Sequence, residues 1–252
     1  MSDVLLVARD GVTLELTLSR PAARNALSRE LIAELTAAMT SAQQDPGVRS
    51  VILTGAPPAF CAGLDLREVA QTRPDQAELD ASALLTLFET IDLLSKPVIA
   101  AVNGPAVAGG AGLVSVCDIV ICGQSGLIGY PEIKRGLVAA IVMTYLRRLV
   151  GERHAKYLLL TGESVSGARA VELGLANEVV EDSVLLPRAR HYAAMFAGYP
   201  SDAITNTKKL MSRIRSLQHA DAIEEARRLN ASMRLTGESR AGVAAFLGKT
   251  SS

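Results

Sequence analysis

Apolar positions early in the chain follow two periods. Val4 to Ala8 and the alternating run Val12 to Leu18, separated by Asp10-Gly11, predict a β-hairpin, because Asp-Gly supplies the positive-φ residue that a tight hairpin turn needs. Pro21 ends the second strand. Leu31, Ile32, Leu35 and Met39 then recur at helical spacing behind the capping residue Ser28, until Asp45-Pro46-Gly47 breaks the helix. A short apolar run, Ser50 to Thr54, reads as a buried strand and is followed by the loop Gly55 to Gly63. Beyond it the pattern predicts a helix over Gln76 to Leu94, a strand over Pro97 to Val102, a Gly-rich turn, a short helix, a strand over Ile119 to Ile121 and an apolar helix over Val138 to Leu149. Alternation of this kind predicts a layered α/β core with glycines where backbone approaches backbone or ligand.

Past Glu181 the period is helical throughout. Val184 to Phe196, Ser201 to Ile214 and Ala220 to Leu235 each carry an amphipathic stripe. The expected division is therefore a core over residues 1–190 and a helical region over 191–252. Helices that extend beyond a closed core must bury their apolar faces somewhere, so the second region is expected to make oligomer contacts.

Composition narrows the function classes. Lys and Arg total 26 and Asp and Glu total 26, so no net field draws the chain to nucleic acid or to an anionic membrane surface. The three cysteines, Cys61, Cys117 and Cys122, form no CxxC pair and no even framework, which suits a reducing compartment. The apolar stretch VLLVA near the N-terminus is too brief for a signal-peptide core, and nowhere do about 18 uncharged apolar residues run together. A cytoplasmic protein without a membrane partner is expected.

Three segments carry candidate chemistry. Ala59 to Leu66 (AFCAGLDL) is a small-residue loop after a buried strand, where amide hydrogens are free to point into a cavity. Asn103 to Leu113 (NGPAVAGGAGL) leaves a strand and enters a helix, whose N-terminus offers unpaired amides and the positive end of a dipole. Two convergent amides would stabilise the charge that builds on a thioester oxygen as its α-carbon loses a proton or its β-carbon is attacked. Taken singly, each loop is more often a tight turn in an α/β core. The second lacks the GxGxxG spacing of a dinucleotide fingerprint. The third segment, Gly129 to Leu137 (GYPEIKRGL), places Glu132 between a proline and an apolar helix, and a carboxylate against an apolar wall has its pKa raised toward the range useful for proton transfer. An isolated glutamate beside Lys134 and Arg135 is otherwise a surface charge.

In this order the segments resemble the enoyl-CoA hydratase/isomerase (crotonase) family. RPAARNAL from Arg20, AFCAGLDL, NGPAVAGGAGLVSVCDI, the Pro-Glu pair and LLLTGESVSGARAVELGLANEVV match its landmarks from Arg20 to about Val180. The resemblance implies a crotonase-like spiral of ββα units with a C-terminal helical extension that assembles trimers or hexamers. It implies an acyl-CoA thioester as substrate, with CoA belonging to the substrate and with no separate cofactor or metal. It places the two oxyanion amides on Leu64 and Gly109, the acid/base on Glu132, and CoA contacts on Arg24, Ala26, Ala62, Asp65, Leu66, Arg67 and Gly110.

One departure is chemical. Typical hydratases of the family carry a second glutamate two residues beyond Gly110, where this chain has Gly112, and Ala111 and Leu113 cannot replace it. Ala139 and Ala140 stand where dienoyl isomerases and dehalogenases carry an aspartate. With Glu132 alone, the chain is read as an enoyl-CoA hydratase or an enoyl-CoA isomerase; the alternative is a catalytically reduced acyl-CoA-binding or scaffold protein of the same fold. An RNA-binding relative would need a basic stripe, against which the neutral composition argues. His154, His191 and His219 read as surface or packing residues, Cys61 as small-residue packing, and Lys208 and Lys209 as a solvated helix face rather than CoA-phosphate ligands.

Overall fold

The computed structural model describes residues 3–250, with side chains described through residue 248. A hairpin opens the chain, β1 (Leu5–Asp10) and β2 (Thr13–Leu18), turning at Gly11 with φ of +56°. Then follow α1 (Arg29–Gln44), β3 (Ser50–Gly55), α2 (Leu66–Ala70) and α3 (Pro74–Asp92). Next come β4 (Val98–Val102), β5 (Pro105–Val107), α4 (Gly109–Val116), β6 (Ile119–Gly123) and β7 (Leu127–Gly129). After a 3-10 turn over Pro131–Arg135 the order is α5 (Ala140–Thr161), β8 (Ser164–Ser166), α6 (Gly167–Leu173), β9 (Glu178–Val180) and α7 (Leu185–Ala197). The chain ends in α8 (Ser201–Ile214), α9 (His219–Met233) and α10 (Gly237–Thr250).

The strands form two sheets. The larger has the order β1-β2-β3-β4-β6-β9 and is parallel from β2 onward; the smaller has the order β5-β7-β8. Each turn of the chain adds one strand to the large sheet and one short segment to the small one. Thus β4 is followed by β5 and β6 by β7, while β3 is followed by Cys61, which bridges Ala106 in parallel. The short strands escape a period-based reading, because three residues inside a Gly-rich segment show no alternation.

The central strands are buried on both faces, as parallel sheets require. In β3, Val51 and Leu53 join the main core, while Ile52 points to the opposite face with Ile99, Ala101 and Ile121. Leu185, Ala189 and Ala193 of α7 cover that second face. Consequently the boundary expected at residue 190 falls inside a continuous helix that seals the sheet, and the helices beyond the core begin with α8. In α8 and α9 no residue is fully buried.

The helix starting at Ser28 is capped as expected, with the Ser28 hydroxyl accepting from Leu31 N at 3.2 Å. It stops where the Asp45 carboxylate accepts from Gly47 N at 2.7 Å. The apolar helix after Glu132 is longer than predicted. It runs as α5 to Thr161, interrupted at Gly151, whose φ of 72° and ψ of 168° are not helical.

Asn25 ties the first loop to the sheet. It is fully buried with φ of 57°; its Oδ1 accepts from Arg20 N at 2.9 Å and its Nδ2 donates to the carbonyls of Ala56 and Ala59, both at 2.7 Å. Asparagine tolerates the left-handed region, and alanine could replace neither that tolerance nor the three bonds. Asn25→Ala is expected to lower stability by about 3 kcal/mol through stranded backbone groups, read as a shift of the urea unfolding midpoint.

Candidate active site

Two loops meet because side chains are absent between them. Cys61 N donates to Pro105 O at 3.1 Å and Val107 N to Cys61 O at 2.9 Å, which lays the AFCAGLDL segment alongside β5. Gly63 then takes φ of +86°, and a Cβ there would stand 2.8 Å from Ala108 Cβ, 2.9 Å from Val107 O and 3.1 Å from Gly109 N. A Cβ at Gly110 would lie 2.2 Å from Cys61 O, so α4 can begin where it does only without one.

This apposition leaves two amides unpaired. Leu27 N donates to Gly63 O at 2.7 Å and Asp65 N donates to Leu27 O at 3.0 Å, so the residues flanking Leu64 are held by Leu27 while the groups of Leu64 itself point the other way. Gly109 opens α4, and the first amides of a helix have no partner within it. Among the described residues neither the Leu64 nor the Gly109 amide has a hydrogen-bond acceptor. The two sites are close, since a Cβ on Gly109 would lie 3.7 Å from Leu64 N. Ala108, immediately before α4, is strained: its φ of 52° and ψ of −122° belong to a region that glycine normally occupies.

Both loops open into a cavity of about 970 Å³ bounded by α1, α2, α3, the 3-10 turn and the start of α5. Leu64, Gly109, Glu132, Ala62, Asp65 and Leu66 line it, whereas Arg24, Ala26, Arg67 and Gly110 do not. Physical reasons separate the two groups. Gly110 faces the Cys61 backbone, and the Ala26 carbonyl already accepts from Arg20 at 2.5 Å. Arg24 is exposed, though its carbonyl accepts from Ala62 N at 3.0 Å and joins its segment to the cavity loop. The Asp65 carboxylate is engaged by Arg20 at 2.8 Å and caps α2 through Arg67 N at 3.0 Å. The Arg20 guanidinium holds that carboxyl below the usual carboxylate range.

Glu132 sits on the 3-10 turn, positioned by Tyr130 and Pro131. Tyr130 is fully buried with its hydroxyl 3.2 Å from Ser115 Oγ on α4. Glu132 Oε2 is buried and has no hydrogen-bond partner among the described residues. Burial pushes this carboxyl above its ordinary range, although Arg135 pulls the other way. A raised pKa combined with a free acceptor is what a proton-transfer group needs.

Gly112 explains where a second carboxylate would have stood. A Cβ there would lie 2.5 Å from Phe88 Cζ and 2.9 Å from Val142 Cγ2. The Phe88 ring on α3, packed edge-on to Tyr145 with centroids 6.0 Å apart, fills the position. Ala139 and Ala140 line the same wall without a charge.

Other residues with possible chemistry lie elsewhere. Cys61 is fully buried and burial pushes its thiol up to about 12, so it is packing and no nucleophile. His154 lies against its own helix, with Nδ1 3.3 Å from Val150 O, and no histidine lines the cavity. Lys208 corrects the reading of a solvated face: it is largely buried and pairs with Asp118, tying α8 to the core. Arg29, Glu68 and Asp80, with no motif to mark them, line the cavity as well. Arg29 clamps Asp80 through two bonds, at 2.7 and 2.6 Å, and its backbone N donates to Glu68 Oε2 at 2.9 Å. No helix is long and apolar enough to cross a membrane among the described residues.

Comparison with known proteins agrees with this geometry. The family model described as enoyl-CoA hydratase/isomerase matches residues 9–252. A Thermus thermophilus protein bearing an enoyl-CoA hydratase name is 39% identical over 235 residues, 92% of this chain and 93% of its own length. The 2,3-dehydroadipyl-CoA hydratase of Escherichia coli is 32% identical over 251 residues, 97% of this chain and 96% of its own. The crystal structure of an enoyl-CoA hydratase from Mycobacterium smegmatis superposes with a TM-score of 0.95 at 33% identity, covering 98% of this chain and 97% of that one. The chain belongs to the enoyl-CoA hydratase/isomerase family: it has the crotonase fold and is an acyl-CoA enzyme of the hydratase/isomerase type.

Proposed function

We propose that the Leu64 and Gly109 amides form an oxyanion hole for the thioester carbonyl and that Glu132 alone moves the proton, so that the enzyme interconverts 3-enoyl- and 2-enoyl-CoA. The observation that carries this reading is that Glu132, whose Oε2 is buried and unpartnered among the described residues, lines the same cavity as Leu64 and Gly109 with their unpaired amides. Glu132 removes a proton from the α-carbon, the two amides hold the negative charge on the thioester oxygen, and the same carboxyl returns the proton to the γ-carbon. One base suffices, because the proton that leaves is the proton that returns. Hydration needs in addition a held water, and the place from which a second carboxylate would hold it is occupied by Phe88 and Val142. The names of the relatives favour a second reading, hydration through Glu132 alone.

On this reading CoA passes over the segment from Ala62 to Arg67 with Arg24 and Ala26 beside it, Asp65 contributing backbone because its carboxylate is engaged. CoA is part of the substrate and no separate cofactor is required. The reading places the enzyme in the cytoplasm. It also makes α8 to α10 an oligomer surface forming trimers or hexamers, narrower than the expected 191–252 because residues up to 197 belong to α7 on the sheet. Support comes from the exposed apolar residues Met211, Ile223 and Phe246 on α8, α9 and α10 and Leu235 in the turn before α10.

Side-by-side assays of 3-enoyl- and 2-enoyl-CoA are expected to show isomerisation well above hydration; hydration dominating would transfer the assignment to the second reading. Glu132→Gln is expected to abolish turnover while leaving the affinity for a saturated acyl-CoA within about threefold, since only the ionisable proton is lost. The ionised carboxylate is the active form in the first step, so kcat/KM falls as pH falls through a pKa lying above the ordinary glutamate range, the direction that burial imposes. Gly109→Val places carbon against Leu64 N and Leu27, and is expected to cut kcat by about 10²-fold, the scale of one lost oxyanion donor, with KM little changed.

A further inference from the structure

Six charged side chains line the active cavity: Arg29, Asp65, Glu68, Asp80, Glu132 and Arg135. Four hold the walls together, Arg29 with Asp80 and Glu68, and Asp65 with Arg20. That leaves Glu132 and Arg135. Among the described residues the Arg135 guanidinium has neither a hydrogen bond nor an ion pair; its charge is felt at Glu132, and the residue is exposed and lines the cavity. Glu132 and Arg135 are three residues apart on a 3-10 turn, the spacing at which side chains eclipse on one face. At roughly 2 Å of rise per residue the two side chains leave the backbone about 6 Å apart along the turn axis. A short acyl chain spans such a distance. Around them the lining is apolar, with Leu137, Val138, Ile141 and Val142 following in sequence.

We propose that Arg135 is a specificity-determining residue that receives a second carboxylate on the acyl chain, so that the preferred substrates are CoA thioesters of short dicarboxylic acids. A planar guanidinium offers two parallel donors to a carboxylate, and an apolar surround strengthens that pair relative to water. CoA phosphates have other cations to meet: Arg24 and Arg67 stand on the segment where CoA is placed above, and neither lines the acyl cavity. The inference rests on the reading of Glu132 and the two amides as the reacting centre, which orients the acyl chain toward the 3-10 turn.

The test uses unreactive ligands, so its outcome does not depend on turnover. Binding of glutaryl-CoA, pentanoyl-CoA and free CoA is measured calorimetrically on the wild type, Arg135→Met and Arg135→Lys. The wild type is expected to bind glutaryl-CoA at least about tenfold more tightly than pentanoyl-CoA, the scale of one charge-assisted pair. Arg135→Met is expected to erase that preference with free CoA unaffected, and Arg135→Lys to retain part of it. Equal affinities in the wild type would overturn the proposal. So would an Arg135→Met loss shared equally by all three ligands, which would assign the guanidinium to a CoA phosphate. Failure of the reaction reading shows separately, as absence of enoyl-CoA turnover by the same wild-type preparation.

Discussion

The active site depends on two backbones touching without side chains between them. Gly63 approaches Ala108 Cβ and Val107 O within distances that no Cβ could share, and Gly110 lies against Cys61 O in the same way. The ladder contacts between Cys61 and β5 hold the pair in register. Everything chemical is hung on this seam. It brings the unpaired Leu64 and Gly109 amides close together beside the cavity and fixes where α4 begins. The amides are fixed by the chain path rather than by rotamers, so on the proposed reading they are oriented before charge develops, the condition under which such donors are most effective.

A site built from backbone leaves the side chains free to vary, and the wall around Gly112 shows the consequence. On the proposed reading, in which amides hold the thioester oxygen, the reaction performed is decided by which carboxylates reach the α-, β- or γ-carbon. Here one position is closed by the Phe88 ring, and Ala139 and Ala140 leave another uncharged. The remaining carboxylate works from a 3-10 turn whose start is pinned by buried Tyr130 on one side and whose end is the left-handed Gly136 on the other. A short rigid turn between a sheet and a helix positions a carboxylate better than a long loop would.

Legibility in the sequence followed the length over which a physical pattern persists. The hairpin, α1 with its Ser28 cap, β3, α3 and β4 were all readable within a few residues, because alternation or helical spacing extends over whole elements. The small sheet was not, since β5, β7 and β8 have three residues each and two of them sit among glycines. Glycines marked the seam, but only the fold shows which serve packing: Gly110 looks like part of a ligand loop and faces Cys61 instead. Lys208 looked solvated because its partner, Asp118, is distant in sequence and meets it only when α8 docks. The same distance hides the Arg29 and Asp80 clamp. A helix crossing residue 190 was visible as a continuous stripe, yet its attachment to the sheet depends on Ile52, Ile99 and Ile121 presenting a second apolar face. That face follows from burial on both sides of the sheet, which no single segment declares.

Two local violations of folding preference lie at the same cavity, and their coincidence bears on function. Ala108 holds a backbone conformation that glycine would adopt without strain, at a cost on the order of 1–3 kcal/mol. Glu132 keeps a buried oxygen unpartnered, which costs about as much. Neither is needed by the core: glycine at 108 or glutamine at 132 would relieve part of each without altering a buried apolar contact. Features that lower stability in otherwise well-satisfied surroundings mark places where another requirement prevails. Here the requirement is common to both. Ala108 stands immediately before the Gly109 amide at the start of α4, and Glu132 lines the same cavity as Gly109. On the proposed reading one thioester engages both, since the unpaired Gly109 amide and the unpartnered Glu132 carboxyl belong to residues that line one largely apolar cavity.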